Sequence, residues 1–308
     1  VGETEVRGLW SCAAIWIKEG PGFGRMCAEW MTHGTPEYDV SASDVARFYD
    51  HARTQEHIRA RTGESFNKMY GIVHPFEQYD SSRNTRVSPF YPRERELDVV
   101  FFETAGWERP QWYESNRGLL DEYSERVMDR TAEWDSRWWS PIINAEPLAM
   151  RDRVGIVDLT AFSIFDVKGP GTLDFIQYMT VNQMDVKVGR GVYTPLLNNE
   201  GGFKADLTVL RMGEFHFRII TGASTGNVDK KWLQDHLPDD RSVYFSELTS
   251  SLCTVGLWGP RARDVLQSVS ADDVSHSGFP FGTLKEITIG NLRTLAFRIS
   301  YVGELGWE

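Results

Sequence analysis

An apolar stretch, then Gly-Pro, then an amphipathic run occurs twice in this chain. The two copies lie at Gly169-Pro170 and Gly259-Pro260, 90 residues apart. Ser163 to Lys168 leads into the first copy and Leu252 to Trp258 into the second. Leu173, Ile176 and Met179 then recur at helical spacing, as do Ala262, Val265, Leu266 and Val269. Glycine permits a sharp turn and proline is preset for a first helical turn, so each copy reads as strand, turn, helix. Two copies are too few for a solenoid; they predict two related α+β halves.

The rest of the second half is equally patterned. Val192 to Leu197, Phe203 to Arg211 and Glu214 to Thr221 read as strands, with Met212-Gly213 as a hairpin turn. A helix starts near Ser224 and carries Val228, Trp232 and Leu233. Glu286 to Ile289 and Leu292 to Ser300 form a hairpin across Gly290-Asn291. Upstream the signals weaken. An apolar run from Gly8 ends in Glu19-Gly-Pro-Gly-Phe-Gly-Arg25, and Met26, Trp30 and Met31 follow at near-helical spacing. That is strand, glycine-rich turn, helix. Ser41-Ala-Ser-Asp44 reads as a capping box opening a charged stretch that runs to Gly63. Residues 70–96 read as irregular packed structure. Residues 97–112 read as a short buried strand entering an aromatic loop, and 114–140 as a Trp-rich linker.

Charge and composition exclude several functions. The 308 residues carry 44 Asp and Glu against 33 Lys and Arg, a net charge of -11, which disfavours general nucleic-acid binding. No apolar run approaches the roughly 18 residues of a membrane span. Cys12, Cys27 and Cys253 are scattered and give neither a disulfide framework nor C-x-x-C. They are expected as buried thiols in a reducing compartment, the cytoplasm or, in a eukaryote, the mitochondrial matrix. His51 and His57 are six apart and no H-E-x-x-H or G-x-S-x-G occurs, so neither a metal site nor a serine triad is expected. Aromatic residues reach 13%, including 11 Trp, which suggests large buried surfaces or pockets for flat ligands. Val1 is not an initiator Met and the chain stops within a strand or turn, so both ends read as cut.

Three segments carry candidate chemistry. In Tyr193 to Val209, alternation puts Phe203, Ala205, Leu207 and Val209 on one face and Lys204, Asp206 and Thr208 on the other. Asp206 is then either a solvent-facing strand residue or a site carboxylate. Gly303-Glu304-Leu-Gly306 sets a carboxylate between two glycines, which allows close backbone approach to a ligand. Gly22 and Gly24 form either a structural turn or one whose N–H groups face a ligand.

Read together, these residues resemble a known family. Tyr193 to Val209, the Glu304 segment and the two Gly-Pro helices look like the aminomethyltransferase (glycine-cleavage T-protein) folate-binding domain. Gly8-Leu-Trp, Gly22 to Trp30, Ser88-Pro-Phe-Tyr and Gly106 to Trp112 resemble the dimethylglycine/sarcosine dehydrogenase group, which joins an FAD-dependent amine oxidoreductase to that domain. The resemblance implies an organisation in three parts. Residues 1–40 would be the tail of the flavin domain, 41–95 its middle segment, and 96–308 a C-terminally truncated folate domain. It implies oxidation of an N-methyl amine such as sarcosine or dimethylglycine to an iminium. That iminium would pass through an internal cavity to tetrahydrofolate, and the flavin side would hand electrons to an acceptor protein or to oxygen.

Carried over residue by residue, the resemblance implies that Asp206 is the catalytic carboxylate beside the folate amines. Tyr193 would contact folate, Glu304 would bind the pterin, and Gly22 and Gly24 would lie near the flavin ring. A carboxylate suits both roles, since it accepts the paired N–H groups of a pterin and can take a proton from an attacking amine. The chain departs from the family at Ala205-Asp206, where many T-proteins have two Asp, at Thr221-Gly222, where Asn is usual, and in lacking the N-terminal dinucleotide fold with its G-x-G-x-x-G, which would bind most of the FAD. The chain alone is expected to be unable to oxidise an amine. Two other readings share the architecture. One is a non-catalytic regulatory subunit of the pyruvate dehydrogenase phosphatase type, and the other a stand-alone folate methyltransferase. Tyr193, Asp206 and Glu304 favour an enzyme over the first, and the flavin-domain segment at 8–40 speaks against the second.

Overall fold

The computed structural model describes residues 1–13, 16–132 and 136–308. Strands β1 (Gly2–Glu3) and β2 (Trp10–Ser11) precede helix α1 (Gly20–His33). Helices α2 (Gln55–Tyr70) and α3 (Tyr91–Glu96) lead to strands β3 (Val99–Thr104) and β4 (Trp107–Tyr113). Helices α4 (Leu119–Glu122) and α5 (Ile142–Asp152) follow, then β5 (Gly155–Asp158), β6 (Ser163–Lys168) and α6 (Thr172–Met179). Next come β7 (Gly191–Leu197), β8 (Phe203–Gly213), β9 (His216–Thr221), α7 (Gly226–Asp235) and β10 (Tyr244–Glu247). The chain ends with β11 (Val255–Trp258), α8 (Ala262–Val269), β12 (Leu284–Ile289), β13 (Leu292–Phe297) and β14 (Gly306–Trp307). The α+β class expected from the sequence is the one observed.

The chain divides into two compact units. One comprises residues 1–50, 162–188 and 192–248, the other 51–161, 189–191 and 249–308. The first unit is built on a five-stranded sheet in the order β10-β6-β9-β8-β7. Strand alternation sends Phe165, Val167, Ala205, Leu207, Val209, Phe217 and Ile219 to one face, where Phe175, Ile176 and Met179 of α6 and Leu233 of α7 cover them. The N-terminal residues belong to this unit: Tyr49 Oη donates to the Ala223 carbonyl at 2.7 Å, and Asn227 Nδ2 donates to the Phe48 carbonyl at 3.0 Å. The second unit holds the sheet β14-β11-β5 and the hairpins β3-β4 and β12-β13. Its core gathers Ala262 and Leu266 of α8 with Val274, Phe279, Ile287, Ala296 and Trp307.

The Gly-Pro echo holds locally in each unit. β6 ends at Lys168 and α6 spans Thr172–Met179; β11 ends at Trp258 and α8 spans Ala262–Val269. Gly169 has φ +125° and Gly259 φ +128°, a region closed to most L-residues. A Cβ on Gly169 would lie 2.2 Å from the Ser242 carbonyl oxygen, and one on Gly259 2.5 Å from the carbonyls of Arg153 and Met150. The helices start two residues after the prolines, because Gly171 and Arg261 take the N-cap positions.

Elsewhere the structure corrects the reading. Ser41-Ala-Ser-Asp44 opens no long helix; three short 3-10 turns occupy 41–53. The cap of α2 is Thr54, whose hydroxyl accepts the His57 N–H, and the helix runs past Gly63 to Tyr70. The aromatic loop after β3 is the partner strand β4, and a register shift beside Phe101 accommodates Pro110. Residues 114–140 carry α4 and the buried Tyr123, although 133–135 of that span lie outside the described residues. The β8-β9 turn falls at Glu214-Phe215, beyond Met212-Gly213. Cys27 is buried, whereas Cys12 and Cys253 are exposed. Among the described residues no helix is long and apolar enough to cross a membrane, and no cluster of three or more His, Cys, Asp or Glu is arranged for a metal ion.

Candidate functional site

β7 and β8 are neighbours in the sheet, joined by the turn Asn198 to Gly202. Asn198 shapes that turn, its Oδ1 accepting the N–H groups of Glu200 (3.0 Å) and Gly202 (2.6 Å). The alternation predicted for β8 is observed: Ala205, Leu207 and Val209 enter the core while Asp206 faces out. Phe203 departs from it and is 65% exposed, since it stands at the strand's first position. Across the pair, Tyr193 Oη donates to Asp206 Oδ2 at 2.6 Å. The bond and the carboxylate's charge raise the Tyr193 phenol above its ordinary pKa. Among the described residues no other hydrogen bond reaches the Asp206 carboxylate, so Oδ1 is open. The pair lies on an exposed face: both residues are exposed.

Glu304 belongs to the other unit. Its carboxylate closes its own turn, accepting the N–H groups of Tyr301 (2.8 Å) and Val302 (2.7 Å) and the Ser300 hydroxyl (3.1 Å). Burial alone would raise its pKa, but these bonds outweigh it and lower the pKa below the ordinary value. A carboxylate offers about four acceptor positions, so three local donors leave little for a ligand without a change in the turn.

Gly22 and Gly24 do not precede the helix; both lie inside α1, which starts at Gly20 with Pro21 in its first turn. Proline needs no N–H partner there, which is why the helix begins earlier than the glycine pattern suggests. Glu19 provides no side-chain cap, and a Cβ on either glycine would meet nothing within 4 Å. A 3-10 turn at Ile17–Glu19 runs straight into α1, so the Gly22 amide lies in the first turn of the helix and the Gly24 amide within it.

Two features of this unit were missed in the sequence. Asp229 on α7 is 4% exposed, accepts the hydroxyls of Thr221 (2.7 Å) and Thr225 (3.1 Å), and has its carboxyl pushed up by burial, with Asp206 adding in the same direction. Its signal was an acidic residue beside Val228 on the inner face of a helix. Lys204, two residues before Asp206, lies over the Trp232 ring at 4.5 Å.

Comparison with known proteins extends the picture. The GCVT N-terminal domain model matches residues 90–308, and the FAD dependent oxidoreductase central domain model matches residues 33–88. A 4-methylaminobutanoate oxidase (formaldehyde-forming) of Paenarthrobacter nicotinovorans is 33% identical over 318 aligned residues, covering 100% of this chain and 37% of that protein. The mitochondrial dimethylglycine dehydrogenase of Homo sapiens is 31% identical over 290 residues, covering 93% and 32%. The chain thus spans about a third of the length of these curated relatives. The crystal structure of glycine cleavage system aminomethyltransferase T from Bartonella henselae superposes with a TM-score of 0.55 at 22% identity, covering 73% of this chain and 53% of that one. That likeness concerns the fold.

Proposed function

The chain belongs to the GCVT N-terminal domain family, with an FAD-dependent oxidoreductase central-domain segment ahead of it, and from that premise we propose its reaction. It is part of an FAD-dependent oxidoreductase that demethylates an N-methyl amine and hands the one-carbon unit to tetrahydrofolate. The residues 1–40 and 41–95 serve the flavin side in this reading, and 96–308 the folate side. Electrons leave the flavin side to an acceptor protein or to oxygen.

The observation that carries the reading is the Tyr193–Asp206 pair. Tyr193 anchors Oδ2 and so fixes the plane of the carboxylate. Oδ1 is left to accept an N–H from a ligand. When bound, tetrahydrofolate supplies the amines that accept the one-carbon unit. Asp206 orients one such amine through its N–H, stabilises the positive charge that develops there, and holds the proton released. Gly22 lies in the first turn of α1, where the helix dipole favours negative charge on a neighbouring acceptor. Glu304 contributes to pterin recognition only if a ligand draws it from its turn.

Titration of this chain with 5-formyl-tetrahydrofolate, followed by calorimetry, tests the folate assignment. The expected result is saturable binding that Asp206→Asn and Tyr193→Phe each weaken about tenfold, the loss of one hydrogen bond to a charged group. Equal affinity in wild type and both variants would overturn it.

A further inference from the structure

A cavity of about 370 Å³ lies within the first unit, between the N-terminal segment and the β7-β8 turn with α7. It is separate from the Tyr193–Asp206 pair, neither of which lines it. Trp10 and Trp30, edge to face with ring centroids 5.5 Å apart, contribute to one wall, and Trp232 to another. Five carboxylates line the space against two ammonium groups.

Most of those charges are already spent. Glu3 accepts the Gly8 N–H, Glu37 pairs with Arg25, Asp39 accepts both the N–H and the hydroxyl of Ser41, and Lys231 pairs with Asp235 at 2.7 Å. Lys204 rests on the Trp232 ring. Asp44 is the exception. It is 4% exposed, and among the described residues the one hydrogen bond to its carboxylate is the Ala46 N–H on Oδ1, at 2.8 Å. Burial pushes its carboxyl up, outweighing the Ala46 N–H and the charges of Lys231, the Val1 ammonium and Lys204; none of those three cations hydrogen-bonds the carboxylate among the described residues. Gly2 closes the wall beside it: a Cβ there would lie 3.0 Å from Asp44 Oδ1 and 3.2 Å from the Trp30 ring.

Indole faces attract cations, and several rings around a carboxylate suit an alkylated ammonium, which is both charged and apolar at its surface. An anion would meet the excess of carboxylates. A neutral apolar ligand would leave Asp44 unsatisfied. We propose that this cavity is a binding site for a small alkylated ammonium ion, held by Asp44 and the rings of Trp10 and Trp30. The site stands on the cavity alone and does not depend on the folate reading.

The test uses choline chloride and its neutral isostere 3,3-dimethyl-1-butanol, titrated into the chain by calorimetry at matched ionic strength. Choline is expected to bind saturably and at least about tenfold more tightly than the alcohol. Asp44→Asn keeps an acceptor for the Ala46 N–H and is expected to lower choline affinity about tenfold, as is Trp30→Leu. Asp206→Asn is expected to leave choline binding unchanged, which separates this site from the folate assignment. The wild-type comparison needs no variant to fold. Equal binding of choline and the alcohol, no saturable binding of choline, or full choline affinity in a folded Asp44→Asn variant would each overturn the proposal.

Discussion

The Tyr193 hydroxyl reaches from β7 to Asp206 on β8 and donates a 2.6 Å hydrogen bond to one carboxylate oxygen, leaving the other open. This fixes a carboxylate on an exposed strand face without burying it. It also sets a spectroscopic handle. The Asp206 hydrogen bond and charge raise the Tyr193 phenol above its ordinary pKa. Tyr193 ionisation, followed by ultraviolet difference titration against a Tyr193→Phe control, is therefore expected to move to lower pH in Asp206→Asn. An unmoved titration would mean that the pair does not persist in solution.

Gly169 and Gly259 should resist substitution equally. Each holds φ near +125° with a backbone carbonyl where a Cβ would go. Gly169→Ala and Gly259→Ala are each expected to cost at least about 2–3 kcal/mol, combining backbone strain with a clash that no side-chain rotation relieves. Urea unfolding measures this. Gly24→Ala is the control, since its Cβ would meet open space, and it should be neutral or slightly stabilising.

Much of this was legible in the sequence, and the reasons differ by element. The Gly-Pro turns and the alternation of β8 were readable because local chemistry and tertiary demand agree there. Pro110 hid β4, since a proline in a strand reads as a break unless the neighbouring bulge is known. Thr54 was overlooked as a cap because Ser41-Ala-Ser-Asp44 offered a stronger local signal that packing overrode. Asp206 and Tyr193, thirteen residues apart, lie on neighbouring strands and hydrogen-bond to each other. The turn that occupies Glu304 depends on hydrogen positions of a loop, which no periodicity encodes.

Asp166 should be a buried acid-sensitive group of the first unit. It is 2% exposed and receives Arg218 Nε at 2.7 Å and His216 Nε2 at 2.7 Å. Burial pushes its carboxyl up, but Arg218 and His216 outweigh that and hold it below the ordinary value. A depressed carboxyl stabilises the fold above the unfolded pKa, and that stability is lost as pH falls through the folded pKa. Asp166→Asn is expected to cost about 3 kcal/mol at neutral pH, because Arg218 is left without its charge partner. It should also flatten the loss of stability below about pH 4, the ordinary carboxylate range. Urea midpoints measured from pH 3 to 7 check both.

Glu94 should act in the opposite sense. Burial, aided by the nearby Asp158 charge, pushes its carboxyl up from 4.5 to about 7, and its Oε2 has no partner among the described residues. The folded state then binds a proton that the unfolded state has released, so this contribution falls as pH rises from 4.5 to about 7 and stays flat above. The span amounts to about 3 kcal/mol at most. Glu94→Gln keeps an acceptor for the Tyr113 hydroxyl, which reaches Oε1 at 3.2 Å. The variant is expected to match wild type at pH 5 and exceed it at pH 8. A constant difference between the two pH values would remove the assignment.

The division of labour between a flavin side and a folate side is tested most directly in the full-length protein carrying Asp206→Ala. The measurement follows amine oxidation, methylene-tetrahydrofolate and free formaldehyde in the same reaction. The account predicts oxidation near the wild-type rate, methylene-tetrahydrofolate formation down by about 10²–10⁴, the range for a positioned acid-base group, and formaldehyde in its place. Methylene-tetrahydrofolate at the wild-type rate, or oxidation falling in step with transfer, would contradict it and return Asp206 to the standing of a solvent-facing strand residue.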